Sequence, residues 1–180
     1  MTEGRTTSKL SRILKQMKII LLDVDGVLTD GSIILLPDGD ERKIFNVKDG
    51  TGIVWAGWAG LTVALITGRQ SSALEMRAKE LGVKFLRQRA SDKVAAASEI
   101  LESCGLAFNE AAAMGDDFGD IALLQHVALP ACPSDAHPDV ARLCLWKSKH
   151  PGGHGAVREF IEKILRAQKK MPGIRAHYGI

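Results

Sequence analysis

The chain has 180 residues, 46% of them hydrophobic and 25% charged, the balance of one compact domain with a sizeable core and little room for a second. Its formal net charge is +3, but the basic residues gather at the two ends and leave the middle mixed, which excludes a nucleic-acid footprint. No run approaches the roughly 20 apolar residues of a membrane span, and the polar N-terminus is unlike a secretory signal, so a cytoplasmic protein with no membrane partner is expected.

Residues 1–16 look like a basic tail, and the domain is expected over 17–168. KIILLDV (18–24) is the first strand candidate and ends in DVDG. SIILLPDGDERKIFNV (32–47) predicts two strands around the turn Pro37-Asp38-Gly39-Asp40, a projecting hairpin whose apolar residues need a surface to pack on, expected to be that of another subunit. KDGTGIVWAGWAG (48–60) predicts a helix whose Trp55 and Trp58 serve core or subunit packing. Further strand candidates are LTVALIT (61–67), VKFL (83–86), AAAMG (111–115), VALP (127–130) and LCLW (143–146), most of them separated by amphipathic segments. Such alternation predicts an α/β fold, a doubly wound parallel sheet with helices on both faces. GGHG (152–155) predicts a tight turn before a helix starting near Ala156, and residues 169–180 look like a second tail. Cys104, Cys132 and Cys144 are odd in number and widely spaced, so three reduced structural cysteines are expected.

In an open α/β sheet, ligands bind beyond the carboxyl ends of the strands. Asp23 and Asp25 stand at one such end, Thr67 at another, and Asp116 and Asp117 at a third, with Asp120 a turn later and Lys93 opening a helix. Neighbouring carboxylates repel unless a proton or a cation intervenes, so this set predicts an acidic metal cradle beside a hydroxyl and an ammonium. A hard cation such as magnesium suits the carboxylates, and phosphoryl oxygens suit the hydroxyl and ammonium. An aspartate can be the covalent nucleophile of such chemistry, with a second carboxylate as acid and base. Arg69 and Arg77, about two helical turns apart, are candidates for a substrate carboxylate. Lys48 and Asp49 are candidate substrate contacts or simply the polar exit of the hairpin. The histidines form no constellation.

DVDGVLT, ITGR, the SDK lysine and MGDD, in that order, resemble the four motifs of the haloacid dehalogenase superfamily of phosphohydrolases. That resemblance implies Asp23 as nucleophile forming an aspartyl-phosphate, and Asp25 as general acid and base whose backbone carbonyl also serves the metal. It further implies Thr67 and Lys93 on the phosphoryl oxygens, Asp116 as a ligand of Mg2+ together with Asp23 and Asp25, and Asp117 supporting the metal shell. FNVKDGTGI, ITGR, DAHP (135–138) and GGHGAVREF are similar to the 3-deoxy-D-manno-octulosonate 8-phosphate phosphatase family, with His154 where arginine or another polar residue would be expected. This narrower resemblance implies an enzyme of lipopolysaccharide biosynthesis without a large cap domain, a homotetramer through its hairpins, and a C-terminal tail that can cover a neighbour's site. Rival readings are a phosphatase for a nine-carbon acidic sugar 9-phosphate, a phosphoryl transferase or mutase, and a noncatalytic domain that binds a partner protein through the hairpin.

Overall fold

Strands made of short, wholly apolar runs are stable only where both faces are covered, and the intervening amphipathic helices supply the cover. The computed structural model describes residues 3–37, 39 and 41–180, with the backbone alone for residues 3–8. Its strands are β1 (Ile19–Leu22), a hairpin of β2 (Ile34–Leu35) and β3 (Glu41–Arg42), then β4 (Thr62–Ile66), β5 (Phe85–Arg87), β6 (Ala111–Met114), β7 (Leu129–Cys132) and β8 (Trp146–Lys147). Six of them form one sheet in the order β5-β4-β1-β6-β7-β8, every pair parallel. The helices are α1 (Glu3–Gln16), α2 (Val47–Trp58), α3 (Ser72–Glu80), α4 (Lys93–Ser103), α5 (Ile121–His126), α6 (Pro138–Leu143), α7 (Ala156–Ala167) and α8 (Met171–His177).

Alternate strand residues face opposite layers, and the two cores follow from that. Ile20, Leu22, Val63 and Leu65 pack with Leu14 of α1, Ile53 of α2, Leu74 of α3 and Phe160 and Ile164 of α7. Ile19, Leu21, Ala64 and Ile66 pack on the other side with Ala97 and Ile100 of α4, Leu124 of α5 and Val140 of α6. In the central register Leu22 stands beside both Leu65 and Met114. The strand ends that follow these residues therefore open at one level, which is where the site is built. The predicted doubly wound sheet is present, but β7 and β8 begin two and three residues later than the runs VALP and LCLW, whose Leu143 ends α6.

The two expected tails are corrected. Residues 3–16 are helical, because Leu10, Ile13 and Leu14 make an i, i+3, i+4 stripe inside the basic segment and lie against the core. The Gln168 side-chain amide donates to the carbonyls of Leu14 (3.1 Å) and Met17 (2.7 Å), tying the two ends of the chain together. Residues 171–177 are also helical, with Ile174 buried. At the end of this helix the Trp58 ring lies 3.8 Å from that of His177, and just beyond it the Trp55 indole donates to the Tyr178 hydroxyl at 3.0 Å.

The hairpin forms with Ile34 opposite Arg42 and Leu35 opposite Glu41; Asp38 and Asp40 of its expected turn lie outside the described residues. Ile33, Ile34, Leu35 and Ile44 are exposed on it. All three cysteines are free, with Cys132 buried at the end of β7.

Candidate active site

β1 delivers the acids. The Asp23 amide donates to the Met114 carbonyl at 3.0 Å, so Asp23 is still held by the sheet. The chain then curls: the amides of Leu28 and Thr29 donate to the Val24 carbonyl at 2.9 and 3.0 Å, and the Gly31 amide donates to Thr29 Oγ1 at 3.2 Å. Gly26, at φ 90°, leaves room for the next strand's acid, since a Cβ there would stand 2.1 Å from Asp116 Oδ2. Against this loop lies the glycine-rich segment before α7. The Gly153 amide donates to the Val27 carbonyl at 2.9 Å, and a Cβ on Gly152 would come within 1.9 Å of the Gly26 carbonyl oxygen. The Asp135 carboxylate accepts from the Gly152 amide at 3.0 Å. These glycines thus do more than turn the chain, because they bring backbone onto backbone beneath the acids.

Lys93 opens α4, whose first turn is capped by Asp92. Its ammonium reaches Asp23 Oδ1 at 2.6 Å and Asp120 Oδ1 at 2.7 Å with little of its side chain exposed. Asp120 Oδ2 accepts from the amides of Asp116 (3.0 Å) and Asp117 (3.4 Å), which pins the loop after β6. Carboxylate oxygens of Asp23, Asp116 and Asp120 all lie within 4.8 Å of one another. Burial, then the Asp120 charge, pushes Asp23 up to about 6, with Lys93 pulling the other way. Burial, then the charges of Asp23 and Asp120, pushes Asp116 up to about 8. Acids raised by burial and then by one another's charge are short of positive charge, and a divalent cation is the group that fits such a donor set.

Asp25 turns from that cluster to a second network. The Thr67 hydroxyl donates to Asp25 Oδ2 at 3.1 Å, and Lys43 forms an ion pair with Oδ1. Lys43 also meets Glu41 Oε1 at 2.7 Å, and Glu41 Oε2 accepts from Arg69 Nη2 at 2.6 Å. The Arg69 hydrogen bond holds the Glu41 carboxyl below its usual range.

The structure therefore brings together Asp23, Lys93, Asp116 and Asp120, and, beside them, Asp25, Thr67 and Arg69. Asp117 is exposed, and its carboxylate caps the Phe118 amide at 2.8 Å. Arg77 pairs with Glu80 at 2.8 Å and lines a cleft of about 370 Å³ that Lys43, Phe45 and Met76 also line. A larger cleft, of about 660 Å³, is lined by Leu61 and Thr62 at the start of β4 and so opens at the opposite end of the sheet from the acids. Lys48 is exposed in the first turn of α2. Asp49 is buried, its carboxylate accepting from the amides of Gly155 (3.0 Å) and Arg158 (2.7 Å), so it caps α7 from across the fold. Sequence reasoning passed over Lys43 and Glu41. Their signal was the alternation in ERKI, which puts residues 41 and 43 on one face of the hairpin.

A doubly wound sheet whose first strand ends in two acids, with a hydroxyl, an ammonium and further acids at neighbouring strand ends, is the architecture of a phosphohydrolase. Residues 86–161 match the model of a haloacid dehalogenase-like hydrolase family. The chain is 40% identical over 157 residues to 3-deoxy-D-manno-octulosonate 8-phosphate phosphatase KdsC of Escherichia coli (strain K12), covering 87% of this chain and 84% of the relative. The crystal structure of 3-deoxy-D-manno-octulosonate 8-phosphate phosphatase from Yersinia pestis superimposes with a TM-score of 0.89 at 38% identity, covering 92% of this chain and 89% of that one. The phosphatase of the same name from Moraxella catarrhalis, solved in complex with magnesium ion, phosphate ion and KDO, gives a TM-score of 0.91 at 32% identity over 95% of this chain and 98% of that one. The chain belongs to the haloacid dehalogenase-like hydrolases, in the family of the 3-deoxy-D-manno-octulosonate 8-phosphate phosphatases.

Proposed function

We propose that the protein hydrolyses 3-deoxy-D-manno-octulosonate 8-phosphate to the free sugar acid and phosphate, with magnesium, as a cytoplasmic homotetramer in lipopolysaccharide precursor biosynthesis. The observation that carries the chemistry is the pairing of Lys93 with Asp23 and Asp120 beside Asp116, with Asp25 and Thr67 alongside. Relatives named for this substrate, 40% identical over most of the chain, support its identity. The exposed apolar hairpin supports assembly.

Asp23 and Asp116, with Asp120 beside them and Asp117 next in the chain, would hold the magnesium, and the backbone carbonyl of Asp25 would serve as a further ligand. Once bound, the ion neutralises charge on the phosphoryl group. Asp23 attacks phosphorus through a carboxylate oxygen. The ester bond breaks, its electron pair stays on the sugar oxygen, and Asp25 supplies the proton that oxygen takes up. Asp25 then removes a proton from the water that attacks phosphorus, the bond to the Asp23 oxygen breaks with its electron pair returning to the carboxylate, and inorganic phosphate is released. Thr67 and Lys93 hold the phosphoryl oxygens, so the Thr67 hydroxyl turns from Asp25 to the phosphate on binding. Arg69, Arg77 and Lys48 are assigned to the sugar acid, with Arg69 exchanging Glu41 for the substrate carboxylate.

Asp23→Asn tests the assignment. Phosphate release in magnesium should fall by roughly 10³-fold or more with the circular dichroism spectrum unchanged; turnover near that of the wild type would refute it.

A further inference from the structure

The hairpin reaches the catalytic acid through one side chain whose role neither the motifs nor the resemblance assigns. Along residues 41–44 burial alternates: Glu41 and Lys43 turn inward while Arg42 and Ile44 are exposed. The Lys43 side chain is only 3% exposed. An ammonium that deep must be paired, and its partners are Asp25 Oδ1 and Glu41 Oε1. Glu41 is held in turn by Arg69, through Nη2 at 2.6 Å and Nε at 3.2 Å.

We propose that Lys43 is the positioning residue of Asp25: it anchors Oδ1 and leaves Oδ2 to carry the proton. The two oxygens have different neighbours. Oδ2 accepts from the Thr67 hydroxyl at 3.1 Å, on the side assigned to the phosphate, whereas Oδ1 faces the hairpin lysine. The terminal torsion of an aspartate is broad, so without a partner at Oδ1 the carboxyl group swings and the proton's position is not defined. Oδ1 accepts from the ammonium whether Oδ2 is protonated or not, so the anchor survives both departure and return of the proton. In the first step the proton moves from Oδ2 to the sugar oxygen as its bond to phosphorus breaks and the Asp23 bond forms. Lys43 gives up nothing in that step; it fixes where the donor stands. Glu41 keeps the ammonium in place, which makes the hairpin part of the acid's support.

This inference rests on the reading of Asp25 as the acid, and a series of aryl phosphates separates the two. Such esters carry no sugar carboxylate, so recognition by arginine does not enter. They differ in how much their leaving oxygen needs a proton: phenoxide needs one and p-nitrophenoxide scarcely does. With the full-length protein in magnesium, Lys43→Met should lower kcat/KM for phenyl phosphate about tenfold and for p-nitrophenyl phosphate less than about twofold, a fraction of the whole benefit of acid catalysis. Lys43→Gln, which keeps a hydrogen-bond donor, should show the same contrast at smaller size, and it carries the test if Lys43→Met does not fold. Equal losses on both esters, or none on either, would overturn the role of Lys43. Asp25→Asn is measured beside them. A steep dependence on the leaving group in Asp25→Asn but not in the Lys43 variants removes Lys43 alone; equal losses in Asp25→Asn remove the acid assignment itself.

Discussion

Replacing Asp49 should damage the fold and spare substrate recognition. Its carboxylate, 1% exposed, accepts from the Gly155 and Arg158 amides at the start of α7, more than a hundred positions away. In Asp49→Ala both amides lose their partner, and a buried donor left unsatisfied costs about 1–3 kcal/mol. Against that stands the removal of a carboxylate whose pKa burial raises, with the backbone bonds from Arg158 and Gly155 only partly compensating. The balance is about 2–3 kcal/mol of lost stability. A domain of this size loses roughly 2–4 °C of Tm per kcal/mol, so the midpoint should fall by about 5–10 °C. Asp49→Asn keeps one acceptor and should lose about half as much. Thermal unfolding followed by circular dichroism measures the shift, with kcat and KM taken at a temperature where both proteins are folded. A variant with the wild-type Tm and a raised KM would refute the capping role and return Asp49 to the substrate site.

Arg69→Ala should lower kcat/KM for the acidic sugar phosphate about 10- to 100-fold, the value of a charge-assisted hydrogen bond, while leaving p-nitrophenyl phosphate within about twofold; parallel losses would deny it the carboxylate. In EDTA the protein should become less stable as pH rises from 5 to 8, because Asp23 and Asp116, raised from the ordinary 3.8 to about 6 and about 8, hold protons in the folded state that the unfolded chain has released. Urea unfolding at the two pH values checks this: Asp116→Asn should flatten the slope and magnesium should restore stability at pH 8, whereas a rising slope in EDTA contradicts the account. Gly152→Ala places a Cβ 1.9 Å from the Gly26 carbonyl oxygen, so the loop under Asp23 and Asp25 must move. Overpacking of this kind costs about 1–3 kcal/mol, and kcat should fall with Tm; an unchanged pair of values would show that the contact relaxes freely.

The parts of the molecule legible in the sequence are those where one local pattern serves one end. Runs such as IILL and AAAM are apolar on both faces, and only a covered parallel strand uses them. The acids at their ends stand out because burial would otherwise exclude them. Lys93 is different: read alone, it is a surface lysine at an unfavourable helix start. Its meaning lies in Asp23 and Asp120, 70 and 27 positions away. The helix over residues 3–16 was hidden because its stripe of Leu10, Ile13 and Leu14 is narrow and its other residues are polar, so only the α7 surface it packs against makes it a helix. Asp49 reads as either a ligand contact or the hairpin's polar exit for the same reason, since its partners are amides that no spacing rule connects to it. Glu41 and Lys43 lie in a stretch whose alternation puts charged residues on the inner face, a signal that becomes readable once the acid they reach is known.

The most direct test of the central claim is phosphate release from 3-deoxy-D-manno-octulosonate 8-phosphate, a nine-carbon acidic sugar 9-phosphate and a neutral hexose phosphate, each with magnesium and with EDTA. The highest kcat/KM is expected for the eight-carbon acid, with loss of turnover in EDTA. A higher kcat/KM for either competitor, or turnover that survives EDTA, would contradict it.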